Sequence, residues 1–403
     1  MNSKGFAVTG PFACIISLTP VTDEPRVIRQ ARALLDRGWQ VTVCGFEGRQ
    51  SKPEGWRLIE VAHVPGRRGP LGRCVLGAQL VASRASSTLA RRFYWDHAGY
   101  EGIYEQIEFV EGIDGLNLVI GHDYYTAPIV ARMAERRGIP FSIDVHEFAR
   151  EQYLNDRRWV LLHRPWVQKL QAEFYPRAAV ITTICDGIAE ALAKGYALQR
   201  PPVVVRSVAL YQEMPFRPTG AAIKVLYHGI LSPMRGLEAA IRSVPLWRPE
   251  FHLIIRGNGP DDYIASLKAL VTELGVTDRV TIDPPVLFGE LVRRANEADI
   301  GYFVQEDISF QKRFTLPNKF FEYIMAGTAL CVADLPEMAR LVSEFDLGRL
   351  VASTAAEDIA AAINGLTRER IDAYKDNSLA AAKALCWENE ADKMAAAHES
   401  VLS

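Results

Sequence analysis

Lys319 and Glu322, a cation and a carboxylate three residues apart, lie in the stretch Leu316 to Gly327. At that spacing the two side chains can share one face of a helix. Pro317 suits a first helical turn and Gly327 suits a left-handed cap, so the sequence predicts a helix between them. Its amino end would carry free amide groups and a partial positive charge. This arrangement could hold a phosphorylated, hydroxyl-rich ligand, although an ordinary surface ion pair explains the spacing equally well.

Glycines and a second cation follow predicted strands elsewhere in the same half of the chain. Gly229 and Gly257 each come directly after or close behind an apolar run. A glycine at such a place lets the backbone approach a ligand closely. Arg235, a few residues after Gly229, would join Lys319 in binding a diphosphate.

Two histidines occupy equivalent places in the other half of the chain. His122 and His146 each follow an apolar run that predicts a buried strand, and each stands beside a carboxylate, Asp123 or Glu147. In an open α/β sheet, ligands bind at the carboxyl ends of the strands. A single histidine is more often structural, but two at equivalent strand ends favour a role in a pocket.

These residues need a scaffold of alternating strands and helices, and the apolar runs supply one. The first strand, helix and strand form a β-α-β unit without a GxGxxG turn, which argues against a nicotinamide dehydrogenase. The pattern repeats after the proline-containing stretch Tyr211 to Gly220. We therefore expect an α/β protein with two Rossmann-like, doubly wound domains that face each other across a cleft. The predicted domains are residues 1–210 and 220–370, with helices in 371–403 that pack back on the first domain.

The composition of the chain argues against several classes of function. The chain has 403 residues and a net charge of −2, so bulk electrostatics predict no nucleic-acid partner. Its six cysteines are scattered without a CxxC pair, which fits a reducing compartment. No apolar stretch is long enough to span a membrane, and the amino terminus lacks the layout of a signal peptide. We expect a cytoplasmic protein.

One segment has an unusual charge pattern. Residues 61–95 contain no aspartate or glutamate but six arginines, with apolar residues among them. A basic amphipathic segment of this kind can lie on an anionic membrane surface. A solvated basic helix in the outer layer of the domain is the alternative.

The two-domain pattern resembles the GT-B glycosyltransferases, specifically the retaining, group 1 enzymes of family 4. The resemblance covers almost the whole chain, and its most specific part is the predicted helix at Pro317. The stretches that carry it are Pro317 to Tyr323 with Ala326–Gly327, Asp334 to Glu337, Tyr227 to Gly229, Arg235 to Glu238, Gly257 to Pro260, Ala298 to Ile300, Asp23 to Val27, His122–Asp123 and Asp144 to Glu147.

The resemblance implies transfer of a sugar from a nucleotide-diphosphate donor to a glycan or lipid-linked acceptor, in the synthesis of a cell-surface polysaccharide or glycolipid at the inner membrane face. Arg235 and Lys319 would hold the leaving diphosphate, Glu322 would bind the ribose, and His146 would face the transferred sugar. No metal or other cofactor is expected. The remaining donor contacts would be Gly229, Gly257, Val286, Leu287, Pro317 and Asn318, and the acceptor side would include Arg26, His122, Asp123 and Glu147.

Two departures from the family pattern leave alternatives open. Phe314 stands where many of these enzymes have a glutamate that touches the donor sugar, and Ile230 stands where they have a phosphate-binding arginine. Lys312 and Arg313, in the loop before Pro317, could compensate. The same fold could instead serve an inactive, nucleotide-binding scaffold protein or a nucleotide-sugar epimerase.

Overall fold

The structure is a computed structural model that describes residues 10–63, 69–97, 99–109, 113–154 and 156–402. The chain forms two units, one made of residues 1–205 and 391–403 and the other of residues 206–390. The division after Val205 precedes the proline-containing stretch Tyr211 to Gly220, which separates the two predicted domains. Of the predicted carboxyl-terminal helices, residues 371–390 belong to the second unit and residues 391–403 to the first.

Seven parallel strands form the sheet of the first unit, in the order β3-β2-β1-β4-β5-β6-β7. The central strands are mostly apolar and are buried along their length, as expected where helices cover both faces of a parallel sheet. The strands are β1 (Phe12–Pro20), β2 (Gln40–Phe46), β3 (Arg57–Glu60), β4 (Leu118–His122), β5 (Phe141–Val145), β6 (Val180–Thr183) and β7 (Val203–Val204).

Helices connect these strands. The first helix begins at Pro25, whose fixed φ suits a first turn, and the fifth closes at Gly138, which has a φ of 64°. The helices are α1 (Pro25–Leu35), α2 (Gly69–Ala82), α3 (Ser87–Asp96), α4 (Tyr100–Glu108), α5 (Ala127–Arg137), α6 (Arg164–Phe174) and α7 (Asp186–Tyr196), with a π-helical turn at Trp159–His163 and 3₁₀ turns at Val21–Asp23, Ala149–Glu151 and Tyr175–Arg177.

The second unit repeats the arrangement with six parallel strands in the order β10-β9-β8-β11-β12-β13. In each unit the strand order reverses beside the first strand, between β1 and β4 and between β8 and β11. Such a switch point opens a crevice at the carboxyl ends of the strands, where ligands bind. The strands are β8 (Ile223–His228), β9 (Phe251–Arg256), β10 (Val280–Asp283), β11 (Ile300–Phe303), β12 (Ala329–Ala333) and β13 (Gly348–Val351).

The helix predicted from Pro317 is present, with one correction. Pro317 has an extended conformation, with φ −74° and ψ 151°, and therefore caps the helix instead of occupying its first turn. Gly327 adopts the expected left-handed conformation at φ 67°. The helices of this unit are α8 (Leu237–Ser243), α9 (Asp261–Glu273), α10 (Leu291–Ala295), α11 (Phe310–Arg313), α12 (Asn318–Met325), α13 (Pro336–Phe345), α14 (Ala356–Asn364), α15 (Arg368–Ala382) and α16 (Trp387–Glu399), with 3₁₀ turns at Val244–Leu246 and Phe288–Glu290.

The end of α16 belongs to the first unit. His398 lies 3.1 Å from the hydroxyl oxygen of Ser142 in β5, and burial lowers the pKa of this histidine to about 4. A neutral, buried imidazole of this kind helps to attach the helix to the sheet. Of the helices that the structure describes, none has the length and apolar character needed to cross a membrane.

Candidate active site

The loop after β8 lies at the switch point of the second sheet and holds Arg235 in a constrained turn. Met234 and Gly236, which flank the arginine, both have a positive φ, of 64° and 75°. A Cβ on Gly236 would lie 1.8 Å from the carbonyl oxygen of Val304, so only glycine fits there. Backbone packing therefore fixes the position of Arg235.

Lys319 brings a buried amine to the same place. It projects from the first turn of α12 and is only 8% exposed. Its Nζ lies 3.6 Å from the ring centroid of Tyr227 in β8 and 4.9 Å from that of Phe303 in β11. Burial, reinforced by the charge of Arg235, holds the pKa of Lys319 well below its ordinary value. Within the described part of the chain, no carboxylate forms an ion pair with Lys319 or Arg235, so both charges are available to an anion.

Glu322, one turn after Lys319, is oriented by a histidine. Its Oε2 atom lies 2.8 Å from Nε2 of His228, at the end of β8. The His228 ring stacks on Tyr323 with centroids 4.7 Å apart, and its backbone amide donates to the Tyr323 hydroxyl at 3.0 Å. These contacts hold the Glu322 carboxylate at the carboxyl edge of the sheet.

His228 is a site residue that the sequence analysis did not select. It ends a strand directly before Gly229, as His122 ends a strand before Asp123. The strand-end position could have identified His228, but unlike His122 and His146 it has no carboxylate next to it in the sequence.

Gly229 and Gly257 are in contact with each other. A Cβ on Gly257 would lie 1.8 Å from the carbonyl oxygen of Gly229, and a Cβ on Gly229 would lie 3.2 Å from Nζ of Lys319. Close packing of the two loops thus requires glycine at position 257, and Gly229 has a φ of 123°, which favours glycine there, in addition to any approach of a ligand.

The other predicted donor contacts lie in loops and at a helix end of this unit. Val286 and Leu287 follow β10, and Leu287 is 76% exposed. Pro317 caps α12, and the exposed Asn318 is its first residue. The two positions that depart from the family pattern are also in loops: Ile230 is exposed, and the Phe314 ring packs against Phe310 with centroids 4.7 Å apart.

The short helix α11 carries the two basic residues that could compensate. Arg313 is directed to solvent and donates to Asp307 at 2.8 Å. Lys312 is partly buried and donates from Nζ to Oε1 of Gln305 at 3.2 Å. Burial and the nearby charge of Arg235 lower the pKa of Lys312. The two residues therefore lie in different electrostatic surroundings.

A buried charged network lies at the switch point of the first sheet. Asp144, near the end of β5, accepts hydrogen bonds from Arg26 at 2.6 and 2.7 Å and from Thr182 at 2.6 Å. Arg26, in the first turn of α1, also donates to the carbonyl oxygen of Val205 at 2.9 Å. Burial acts to raise the pKa of Asp144, but Arg26 outweighs burial and holds it well below its ordinary value. In this arrangement Arg26 supports Asp144.

The two predicted histidines lie side by side. Nδ1 of His122 is 3.0 Å from Nε2 of His146, and Nε2 of His122 is 2.9 Å from Oε1 of Gln30. Burial lowers the pKa of His122 to about 3, so this imidazole is neutral. Burial also acts to lower the pKa of His146, but Asp123 and Asp144 raise it above its ordinary value. The pair thus combines a neutral imidazole with one that protonates more readily.

Asp123 shapes the backbone beside His146. It has a φ of 60°, in the left-handed region that non-glycine residues seldom adopt, and its Oδ1 accepts the His146 amide at 2.9 Å. Strained conformations of this kind concentrate at functional sites. Glu147, the next predicted residue, is exposed.

Ligand atoms of His122, Asp144 and His146 lie within 4.8 Å of one another, close enough to share a metal ion. Arg26 already contacts both oxygens of Asp144, however, and its charge disfavours a second cation there. Hydrogen bonds account for the spacing, and the absence of a metal requirement stays a prediction.

The segment 61–95 contains α2 and all of α3 except its last residue, Asp96, while Arg67 and Arg68 lie outside the described residues. Leu71 is 79% exposed and Val81 55%, and Arg73, Arg84 and Arg92 are also exposed. Arg91 differs, because it forms an ion pair with Glu173. The surface is therefore both apolar and basic.

Two family models match the chain. One, described as a glycosyl transferase 4-like domain, matches residues 24–209, and the other, described as glycosyl transferases group 1, matches residues 222–369. No curated protein matches the sequence.

Solved structures share the fold at low sequence identity. Sucrose-phosphate synthase from Thermosynechococcus elongatus is 14% identical, with a TM-score of 0.68 over 97% of this chain and 98% of that one. Anabaena HepE, in complex with UDP and glucose, is 14% identical, with a TM-score of 0.64 over 97% and 99%. WaaG, a glycosyltransferase involved in lipopolysaccharide biosynthesis, is 13% identical, with a TM-score of 0.63 over 95% and 98%. The predicted GT-B fold is confirmed by these similarities.

Proposed function

Because this chain is a glycosyltransferase of the group 1, family 4-like type, we propose that it transfers a sugar from a nucleotide-diphosphate donor to a glycan or lipid-linked acceptor, with retention at the anomeric carbon. The observation that carries the proposal is the buried, unpaired amine of Lys319 beside Arg235, at the switch point of the second sheet. Two cations at that edge suit a diphosphate, whose oxygens accept charge-assisted hydrogen bonds.

The donor binds to the second unit in this proposal. Glu322 accepts hydrogen bonds from the ribose hydroxyls, and His228 keeps its carboxylate in place. The base stacks near Val286 and Leu287. That HepE was crystallised with UDP and glucose supports a nucleotide sugar as the donor class.

The chemistry follows from where charge develops. Bond cleavage passes through an oxocarbenium-like state, and negative charge builds on the leaving diphosphate. Preorganised cations stabilise that charge as it forms, because they need no reorganisation during the reaction. Arg235 and Lys319 play this part, and a diphosphate oxygen takes the acceptor proton on the face from which it departs.

The acceptor and the cellular setting are proposed from the first unit. His146, with its raised pKa, faces the transferred sugar, and Asp123 binds the acceptor. His122 contacts His146 directly, and Arg26 supports it through Asp144. The exposed apolar and basic surface of α2 and α3 attaches the enzyme to the anionic inner face of a membrane. This setting suits a cytoplasmic, peripheral enzyme that builds a cell-surface polysaccharide or glycolipid, the pathway type named for WaaG.

A donor screen followed by product analysis tests the proposal. UDP-, GDP- and ADP-sugars are added separately, and the matching donor is expected to raise the melting temperature by mass action. Transfer to glycan and lipid-linked acceptors is then followed by mass spectrometry, with anomeric configuration read by NMR. Glu322→Gln is expected to weaken binding of the matching donor. If no donor shifts the melting temperature, the proposal fails. Binding without transfer would favour a scaffold protein, and a new sugar epimer formed without acceptor would favour an epimerase.

A further inference from the structure

We infer that Lys312 is a third cation of the diphosphate site and binds a phosphate oxygen of the donor directly. The inference rests on the proposed function, because the ligand is the same diphosphate. Lys312 would supply the positive charge that related enzymes place at the position of Ile230. Ile230 itself is 61% exposed and brings no charge to the loop after β8.

The local fold directs Lys312 inward and Arg313 outward. Ser309 caps α11 by accepting the Lys312 amide at 3.2 Å, which sets the rotation of this single turn. Consecutive residues in a helix point about 100° apart. Arg313 is therefore turned to Asp307, with which it forms an ion pair at 2.8 Å.

Gln305 forms hydrogen bonds with both the side chain and the backbone of Lys312. Its Oε1 accepts from Nζ of Lys312 at 3.2 Å, and its Nε2 donates to the Lys312 carbonyl oxygen at 3.3 Å. Gln305 is itself buried and lies just after β11, one of the two strands that define the switch point. The amine is thus positioned near the strand ends before any ligand arrives, which favours binding.

Three cations in this place affect one another. Burial lowers the pKa of both Lys312 and Lys319, and the charge of Arg235 lowers both further. Lys312 also lowers the pKa of Lys319, whereas Glu322 acts to raise it. None of the three forms an ion pair with a carboxylate among the residues that the structure describes. Like charges that converge without a partner destabilise the protein unless an anion joins them. A diphosphate carries enough negative charge to balance such a cluster, which a single carboxylate does not.

Arg313 offers a matched control, since it is the next residue of the same helix turn and has the same charge. The experiment compares Lys312→Gln, Lys312→Arg and Arg313→Gln with the wild type by isothermal titration calorimetry. The probes are inorganic pyrophosphate, the nucleoside diphosphates UDP, GDP and ADP, and the corresponding monophosphates UMP, GMP and AMP.

Lys312→Gln is expected to raise the Kd for pyrophosphate and for the matching nucleoside diphosphate about tenfold, and to change that for the monophosphate less. Lys312→Arg is expected to stay within about threefold of the wild type, since it keeps the charge. Arg313→Gln is expected to bind as the wild type does.

Equal affinities of Lys312→Gln and Arg313→Gln would overturn the role of Lys312 and leave the proposed function standing. A wild-type protein that binds neither pyrophosphate nor any of the three nucleoside diphosphates would overturn both. Melting temperatures without ligand show whether the variants are folded. If Lys312→Gln is not folded, Lys312→Met takes its place under the same criteria.

Discussion

The amine of Lys319 is held against the face of Tyr227, with Nζ 3.6 Å from the ring centroid, and not against a carboxylate. A desolvated cation–π contact contributes about 2 kcal/mol. Burial of an unpaired charge costs several kcal/mol in real proteins. The contact therefore offsets only part of the cost of burying this amine, and a bound anion would offset more. At this position the buried amine lowers the stability of the ligand-free protein and raises its affinity for an anion.

Replacement of Lys319 by methionine should separate these two effects. Lys319→Met keeps the length of the side chain and removes its charge, so we expect diphosphate affinity to fall at least about tenfold. The melting temperature without ligand should stay the same or rise, because a buried charge is lost. Calorimetric titration with the matching nucleoside diphosphate, together with thermal unfolding, measures both. Lys268→Met, at an exposed position of α9, should change neither; a lower melting temperature in Lys319→Met alone would contradict the interpretation.

The lowered pKa of Lys319 predicts how affinity depends on pH. The charged amine binds a diphosphate, and the free enzyme loses that charge at a lower pH than an ordinary lysine, whose pKa is 10.5. Affinity should therefore fall as the pH rises through the lowered pKa, and binding in that range should take up protons. Titrations in buffers of different ionisation enthalpy measure the uptake. Lys319→Arg should bind with little pH dependence in the same range, since arginine keeps its proton; an unchanged pH profile would speak against the role of Lys319.

Much of the scaffold could be predicted because its signals are local. Apolar runs bounded by glycine and proline marked the strands, and the stretch from Pro317 to Gly327 marked α12. The side chains at strand ends followed from the parallel topology, since all such ends meet at one edge of a sheet. Lys319 and Arg235 could therefore be placed together before the structure was known.

The remaining features depend on contacts between distant residues. Arg26 and Asp144 are 118 positions apart, and no local sequence pattern shows that this arginine forms an ion pair with that carboxylate. Lys312 and Arg313 look equivalent in sequence, and only the Ser309 cap and the position of Gln305 distinguish them. Whether a given charge is free or paired is decided by tertiary structure.

Loss of Arg26 should destabilise the first unit strongly. Arg26→Met leaves the buried carboxylate of Asp144 without its main cation, and breaking a buried pair in this way costs about 3–5 kcal/mol. Urea unfolding measures the change. Arg32→Met, in the same helix, should cost less than about 1 kcal/mol because the ion pair of Arg32 with Asp36 is exposed.

The double variant supplies the internal test. Adding Asp144→Asn to Arg26→Met removes the uncompensated charge. The double variant should therefore lose less stability than the sum of the losses in the two single variants. The cost of Arg26→Met should also shrink as the pH falls, because Asp144 without the arginine protonates more readily. Strictly additive losses would argue that the pair does not act as a unit.

Membrane attachment should depend on charge and on apolar exposure together. Replacing Arg73, Arg84 and Arg92 with glutamate should reduce binding to vesicles that contain anionic phosphatidylglycerol by at least about tenfold, since each basic residue near such a surface contributes about 1 kcal/mol. Leu71→Ser should weaken binding further by removing an exposed apolar side chain. Vesicle sedimentation measures the bound fraction. Arg91 is left intact, because a glutamate there would face Glu173.

A control with the same change in net charge on the second unit uses Arg242, Lys268 and Lys383, all exposed. This triple glutamate variant should bind vesicles more like the wild type than the α2–α3 variant does. Equal loss in both would mean that net charge, and not the surface of α2 and α3, governs attachment.

His146 should affect turnover without affecting donor affinity. His146→Gln removes the imidazole that Asp123 and Asp144 favour in its protonated form, so kcat should fall about a hundredfold, the usual range for a group that assists proton transfer or charge stabilisation. The Kd of the nucleoside diphosphate should stay within about twofold, because the predicted diphosphate cations belong to the second unit. Steady-state kinetics and calorimetry give the two values. His63→Gln, at an exposed histidine stacked on Phe46, should leave both unchanged. A change in diphosphate affinity alone in His146→Gln would contradict the role at the transferred sugar and assign this histidine to diphosphate binding.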